Sequence, residues 1–129
     1  IDRYEWGTAS LAQRLAALRR AVDRGWIVRL CVDPILKVPD WQSVYGAFFR
    51  ELEDLPWDKL YDVHLGVFRM NRDYLKKIRK WNRTDLLHYP YSHDTTSVSY
   101  KEKDRLELIE FSATYFISKL SENKIHIWT

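Results

Sequence analysis

Asp33 and Arg69 each follow a short apolar, β-branched run, where a parallel strand would present a polar side chain to a ligand. Asp33 can accept hydrogen bonds from a ribose or an amine; with Pro34 next to it, it can equally cap a turn. Arg69 lies between a strand and a helix start, a place suited to a phosphate or carboxylate and equally to surface pairing with a nearby acid. Tyr89 ends a third short run at 86–89, and Tyr91 and His93 follow it. Cys31 sits mid-run between Leu30 and Val32, which predicts a buried, inert thiol, because reactive cysteines need an exposed electropositive setting. His64, His88, His93 and His126 show no metal-ligand spacing, and His64 and His126 fall inside predicted strands as structural residues. No CxxC pair, Gly-rich phosphate loop, Ser-His-Asp order or HExxH is present. No catalytic signature stands on its own.

The cationic stretch from Lys76 through Lys77, Ile78, Arg79, Lys80, Trp81 and Asn82 to Arg83 has two readings. Its charges could follow a phosphate backbone while Trp81 stacks on a base, and the alternative function is a nucleic-acid binding or interaction domain without catalysis. The plainer reading is a solvated helix end whose cations complement the helix dipole. The bulk charge leaves this open: 21 basic residues against 18 acidic ones give only +3.

These residues must be held by something. The spacing of Leu11, Leu15, Leu18 and Val22 predicts a helix capped by Thr8 or Ser10 and closed at Gly25. A strand is expected at 26–32, ended by Asp33-Pro34. Asp40 is the expected cap of a helix through Val44, Phe48 and Leu52, followed by a turn at Pro56 and a strand at 61–67. Asn71 caps a helix carrying Tyr74, Leu75 and Ile78. A third strand at 86–89 leads to a loop or hairpin at 91–100. A long helix at 101–120 turns Leu106, Ile109, Ala113, Phe116, Ile117 and Leu120 inward, and 125–128 is a last strand. Such alternation argues an α/β domain with parallel βα repeats, and four strands are too few to close an eightfold barrel. At 129 residues the chain is one domain, with hydrophobic residues at 46% and charged residues at 30%. One cysteine excludes an internal disulfide and fits a reducing, cytoplasmic setting; no apolar run is long enough to cross a membrane. The chain opens on Ile1 without a starting Met or a leader, as expected of a piece of a longer protein.

Several local patterns, in order, resemble the C-terminal part of the spore photoproduct lyase family of radical S-adenosylmethionine enzymes. Tyr4-Glu5-Trp6-Gly7-Thr8, with Leu11 and Arg14-Leu15, is similar to the family's E-x-G-T segment and following helix. The stretch from Gly25-Trp26 through Cys31-Val32-Asp33-Pro34-Ile35 resembles its strand ending in Pro-Ile. Asp40-Trp41 with Tyr45, His64-Leu65-Gly66-Val67-Phe68-Arg69, Tyr100-Lys101, and Lys124-Ile125-His126-Ile127-Trp128-Thr129 continue the likeness over almost the whole chain.

The resemblance implies that this chain is the C-terminal portion of a partial TIM-like (β/α)6 barrel. It implies a parent whose [4Fe-4S] cluster cleaves S-adenosylmethionine to a 5′-deoxyadenosyl radical that reverses a thymine dimer in DNA. The family's CxxxCxxC lies in the N-terminal half, and three thiolates cannot come from Cys31 alone. The chain is therefore expected to hold no cluster, no other metal and no catalytic residue, and to be inactive without the N-terminal half of the same protein. By the same resemblance, Asp33 and Pro34 lie beside the nucleoside of S-adenosylmethionine. Arg69, Tyr91, His93, Tyr100 and Lys101 face the lesion or the phosphates of damaged DNA. The family carries a basic, Gly-rich hairpin in that later region, whereas residues 91–98 here contain no Lys or Arg.

Overall fold

The computed structural model describes Ile1, residues 4–81 and residues 84–128. Asn82 and Arg83 of the cationic stretch, and Thr129 of the closing segment, lie outside the described residues.

Helix α1 (Leu11–Asp23) begins at Ser10, whose hydroxyl accepts from the Gln13 backbone while the Gln13 side chain reaches back to the Ser10 N–H, a capping box. It ends on Gly25 at φ 78°, and the Trp26 N–H closes onto the Ala21 carbonyl at 3.0 Å, the left-handed stop the sequence predicts. Strand β1 is Arg29–Ile35, three residues later than expected. Asp33-Pro34, joined by a cis peptide bond, lies inside the strand instead of ending it. Pro34 is tolerated because β1 is an edge strand and the pairing with its neighbour shifts between Val32 and Ile35.

Helix α2 (Trp41–Glu51) starts at Asp40, which takes a left-handed conformation and makes no side-chain cap bond, so it caps by position alone. Strand β2 (Asp62–Val67) lies between β1 and β6 (Ile125–Trp128), and both pairings are parallel. Val63, Leu65 and Val67 of β2 are wholly buried and pack with Leu108 and Phe116 of helix α4 (Glu102–Ile117). Helix α2 meets α4 through aromatic rings: Phe49 stacks on Tyr115 at 4.5 Å, and Trp41 sets its ring against Phe111 at 5.1 Å.

Between β2 and α4 the chain makes β3 (Arg69–Asn71), helix α3 (Arg72–Ile78), and the hairpin β4 (Ser92–His93) and β5 (Ser97–Ser99). Strands β3, β5 and β4 form a second, antiparallel sheet. Asn71 caps α3 as expected, its side chain accepting from the N–H groups of Asp73 and Tyr74.

Three further expectations fail. Residues 86–89 are a turn, not a strand: Leu87 and His88 donate back to Thr84 and Asp85, and Pro90 supplies no N–H. The Arg79 guanidinium takes the Leu87 and Tyr89 carbonyls in place of a neighbouring strand. On α4, Leu106 and Ile117 are exposed, and the buried face is Leu108, Ile109, Ser112 and Phe116. Ser112 is accommodated there because its hydroxyl donates to the Leu108 carbonyl. Cys31 is exposed, because its side chain points away from the helices on an edge strand. The observed parallel sheet has three strands, and the barrel itself is an inference beyond it.

Candidate functional site

A strand sends alternate side chains to opposite faces. With one face of β2 given to Val63, Leu65 and Val67, the other collects the polar residues of all three parallel strands. The register sets them in rows: Arg29 beside Asp62, then Cys31 beside His64 beside His126, then Gly66 beside Trp128. The side chain of Asp33 stands over Gly66, at the carboxyl end of the sheet.

Arg69 and Asp33 form a bidentate pair there, with Nη2 donating to Oδ2 at 2.9 Å and Nη1 to Oδ1 at 3.2 Å. Nη1 also reaches the Val67 carbonyl at 3.2 Å, which fixes the guanidinium against the end of β2. Gly66 makes the arrangement possible: a Cβ at that position would stand 2.6 Å from Asp33 Oδ2 and 3.0 Å from Arg69 Nη1. Of the two sequence readings of Arg69, the pairing with a nearby acid is the one observed. Pro34 is exposed beside the pair.

Cys31 lies one step back along the strand from Asp33. Partial desolvation, helped by the Asp33 carboxylate and opposed by Arg69, pushes its thiol above the ordinary range, so it is exposed yet protonated at neutral pH.

The tyrosines assigned to the ligand side serve the interior. Tyr91 and Tyr100 are buried and pack with Phe68 and Tyr89. The Tyr91 hydroxyl donates to the Leu86 carbonyl at 2.6 Å, and Tyr100 accepts from the Lys37 N–H at 2.8 Å. Burial raises both phenols, that of Tyr100 to about 12, so neither ionises near neutrality. His93 on β4 and Lys101 at the start of α4 are exposed. A cleft of about 470 Å³ opens beside this cluster, walled by Lys37, Pro39, Trp41, Leu86, Tyr89 and Tyr100. Lys37 is held at its edge by Asp104, which also accepts from the Tyr89 hydroxyl at 3.2 Å.

The cationic stretch divides. Lys76 and Lys77 are exposed on the last turn of α3, and Trp81 is exposed, but Arg79 is spent on the carbonyls of the 86–89 turn. What sequence reasoning missed is the grouping of Asp62, His64 and His126, which spacing could not reveal because β2 and β6 meet only through the sheet register. No described helix is long and apolar enough to cross a membrane.

No family model matches the sequence, and no curated protein matches it. Solved structures do. A cysteine-to-alanine variant of spore photoproduct lyase aligns over 98% of this chain and 40% of its own, with TM-score 0.78 and 22% identity. Spore photoproduct lyase complexed with dinucleoside spore photoproduct aligns over 98% and 40%, at 0.73 and 20% identity. A double variant with bound AdoMet and the dinucleoside spore photoproduct aligns over 94% and 38%, at 0.71 and 20% identity. The chain thus spans about two-fifths of the length of these proteins, and over that span it has the fold of spore photoproduct lyase.

Proposed function

We propose that the chain is the C-terminal part of a spore photoproduct lyase-like radical S-adenosylmethionine enzyme that repairs thymine-dimer lesions in DNA. The observation that carries this reading is the shared fold over 98% of the chain, together with a polar, ligand-ready face on the parallel sheet. In the proposal that face lines the lumen of a partial (β/α)6 barrel completed by the N-terminal half of the same protein, in the cytoplasm.

The residues present fit one cofactor of such an enzyme and not the other. A [4Fe-4S] cluster with an open iron needs three thiolates, and the chain has a single cysteine. This chain does not hold the cluster, and by itself it is inactive. The last part of β1, at Asp33 and Pro34, suits the nucleoside of S-adenosylmethionine, which supplies the radical chemistry when bound. There the Asp33 carboxylate offers an acceptor, and the bidentate pair with Arg69 fixes its orientation. Arg69, His93 and Lys101 are the proposed contacts to the lesion or its phosphates, with Tyr91 and Tyr100 setting the hairpin from within. Residues 91–98 contain no Lys or Arg, so phosphate contact falls to those three side chains.

The test is turnover of dinucleoside spore photoproduct by the whole anaerobic protein and by Arg69→Met. The variant should lose about 10- to 100-fold in activity, the scale of one charge-assisted contact, with its circular dichroism unchanged. Equal activity would remove Arg69 from the site, and no turnover by the native protein would remove the substrate.

A further inference from the structure

Asp62, His64 and His126 come from positions scattered over two strands, yet their donor atoms lie within 4.8 Å of one another. His64 and His126 are directly paired across β2 and β6, with ring centroids 4.8 Å apart, and Asp62 is two residues back on the same face. His64 Nε2 is 3.4 Å and His126 Nε2 is 3.3 Å from the same carboxylate oxygen, Asp62 Oδ2. Those separations are long for a charge-assisted hydrogen bond, which closes to about 2.7–2.9 Å. They match the about 3.3–3.4 Å between two ligands of a tetrahedral zinc whose bonds are about 2.0–2.1 Å. His64 Nε2 is also buried without a hydrogen-bond partner, a costly state that a ligand would relieve.

The surroundings complete the case. Asp62 is 2% exposed, and its other oxygen faces the Arg29 guanidinium at 3.2 Å, which leaves Oδ2 turned toward both imidazoles. The His126 side chain is 46% exposed, so the site has an open side to solvent. One contact opposes. The Trp128 indole donates to His64 Nδ1 at 3.1 Å, which puts the neutral imidazole proton on Nε2, the atom a metal would need. Ligation therefore moves that proton to Nδ1 and turns the half-exposed Trp128 ring away.

We propose that Asp62, His64 and His126 bind a divalent first-row transition metal of the zinc class, with open coordination positions facing solvent, and that Trp128 closes the metal-free site. Two imidazoles and one carboxylate are a donor set that such metals accept. The inference stands on the sheet register and does not rest on the proposed repair activity.

The test is a zinc titration of the whole protein, stripped with chelator, in competition with a chromophoric zinc indicator. His126→Ala, a substitution at a half-exposed side chain, should weaken one zinc site by more than the about 10- to 100-fold carried by an outer partner. Trp128→Phe should tighten the same site, and zinc should change the indole fluorescence of the native protein but not of His126→Ala. His126→Cys should restore the site and, with cobalt(II), give a thiolate-to-metal charge-transfer band absent from the native protein. No zinc bound by the native protein would overturn the proposal. So would zinc bound with the same affinity and stoichiometry by the native protein and His126→Ala.

Discussion

At the scale of single residues, the behaviour of Cys31 follows from its neighbours. An exposed thiol is ordinarily open to alkylation, but desolvation and the Asp33 carboxylate disfavour the thiolate. Cys31 should therefore react with iodoacetamide at pH 8 more slowly than free cysteine. Asp33→Asn removes the opposing charge and releases Arg69 to act on the thiol, so the rate should rise several-fold; an unchanged rate would show that Asp33 does not set this pKa. Asp33 itself illustrates what single positions reveal. A carboxylate after an apolar run was legible as a polar group towards the carboxyl end of the sheet, but neither its place inside β1 nor its pairing with Arg69 was. That pairing depends on Gly66, whose lack of a Cβ leaves room for the two side chains over β2.

At the scale of elements, the Lys37–Asp104 pair ties the segment after β1 to the first turn of α4. The hydrogen bond from Lys37 holds the Asp104 carboxyl below the ordinary aspartate value of 3.8. A depressed carboxylate contributes stability that is present above the unfolded value and lost as pH falls through the folded one. Asp104→Asn should therefore cost about 1 kcal/mol in urea denaturation at pH 7, and the gap to the native protein should close in acid. A gap that persists once the Asp104 carboxyl is protonated would mean that packing, not charge, is responsible. Elements with local determinants were legible in the sequence: the Ser10 and Asn71 caps, the Gly25 stop and the apolar alternation of β2. The 86–89 run misled because its composition is that of a strand, while the group that satisfies its carbonyls, Arg79, sits on the helix before it. Leu106 and Ile117 were read inward from spacing alone, whereas the face of α4 that packs into the core carries Leu108 and Phe116.

At the scale of the whole molecule, one parallel sheet divides the chain's chemistry. Helix α4 and the core apolar side chains take one face; Arg29, Cys31, Asp33, Asp62, His64, His126 and Trp128 take the other. In the proposed reading this sheet is a section of a barrel wall, with its polar face on the lumen side. The order of βα units was legible as parallel α/β, and the likeness to spore photoproduct lyase was legible from dispersed short patterns. The meeting of His64 with His126 was not, because residues 62 positions apart are joined only by β6 returning beside β2. The central claim, that this wall belongs to a radical enzyme whose cluster lies on the rest of the protein, is tested most directly by one assay. It measures iron, acid-labile sulfide and reductive S-adenosylmethionine cleavage on the whole protein purified without oxygen. About four irons per chain with formation of 5′-deoxyadenosine is the predicted result. No iron and no cleavage after reconstitution would contradict it, leaving the shared fold without the shared chemistry.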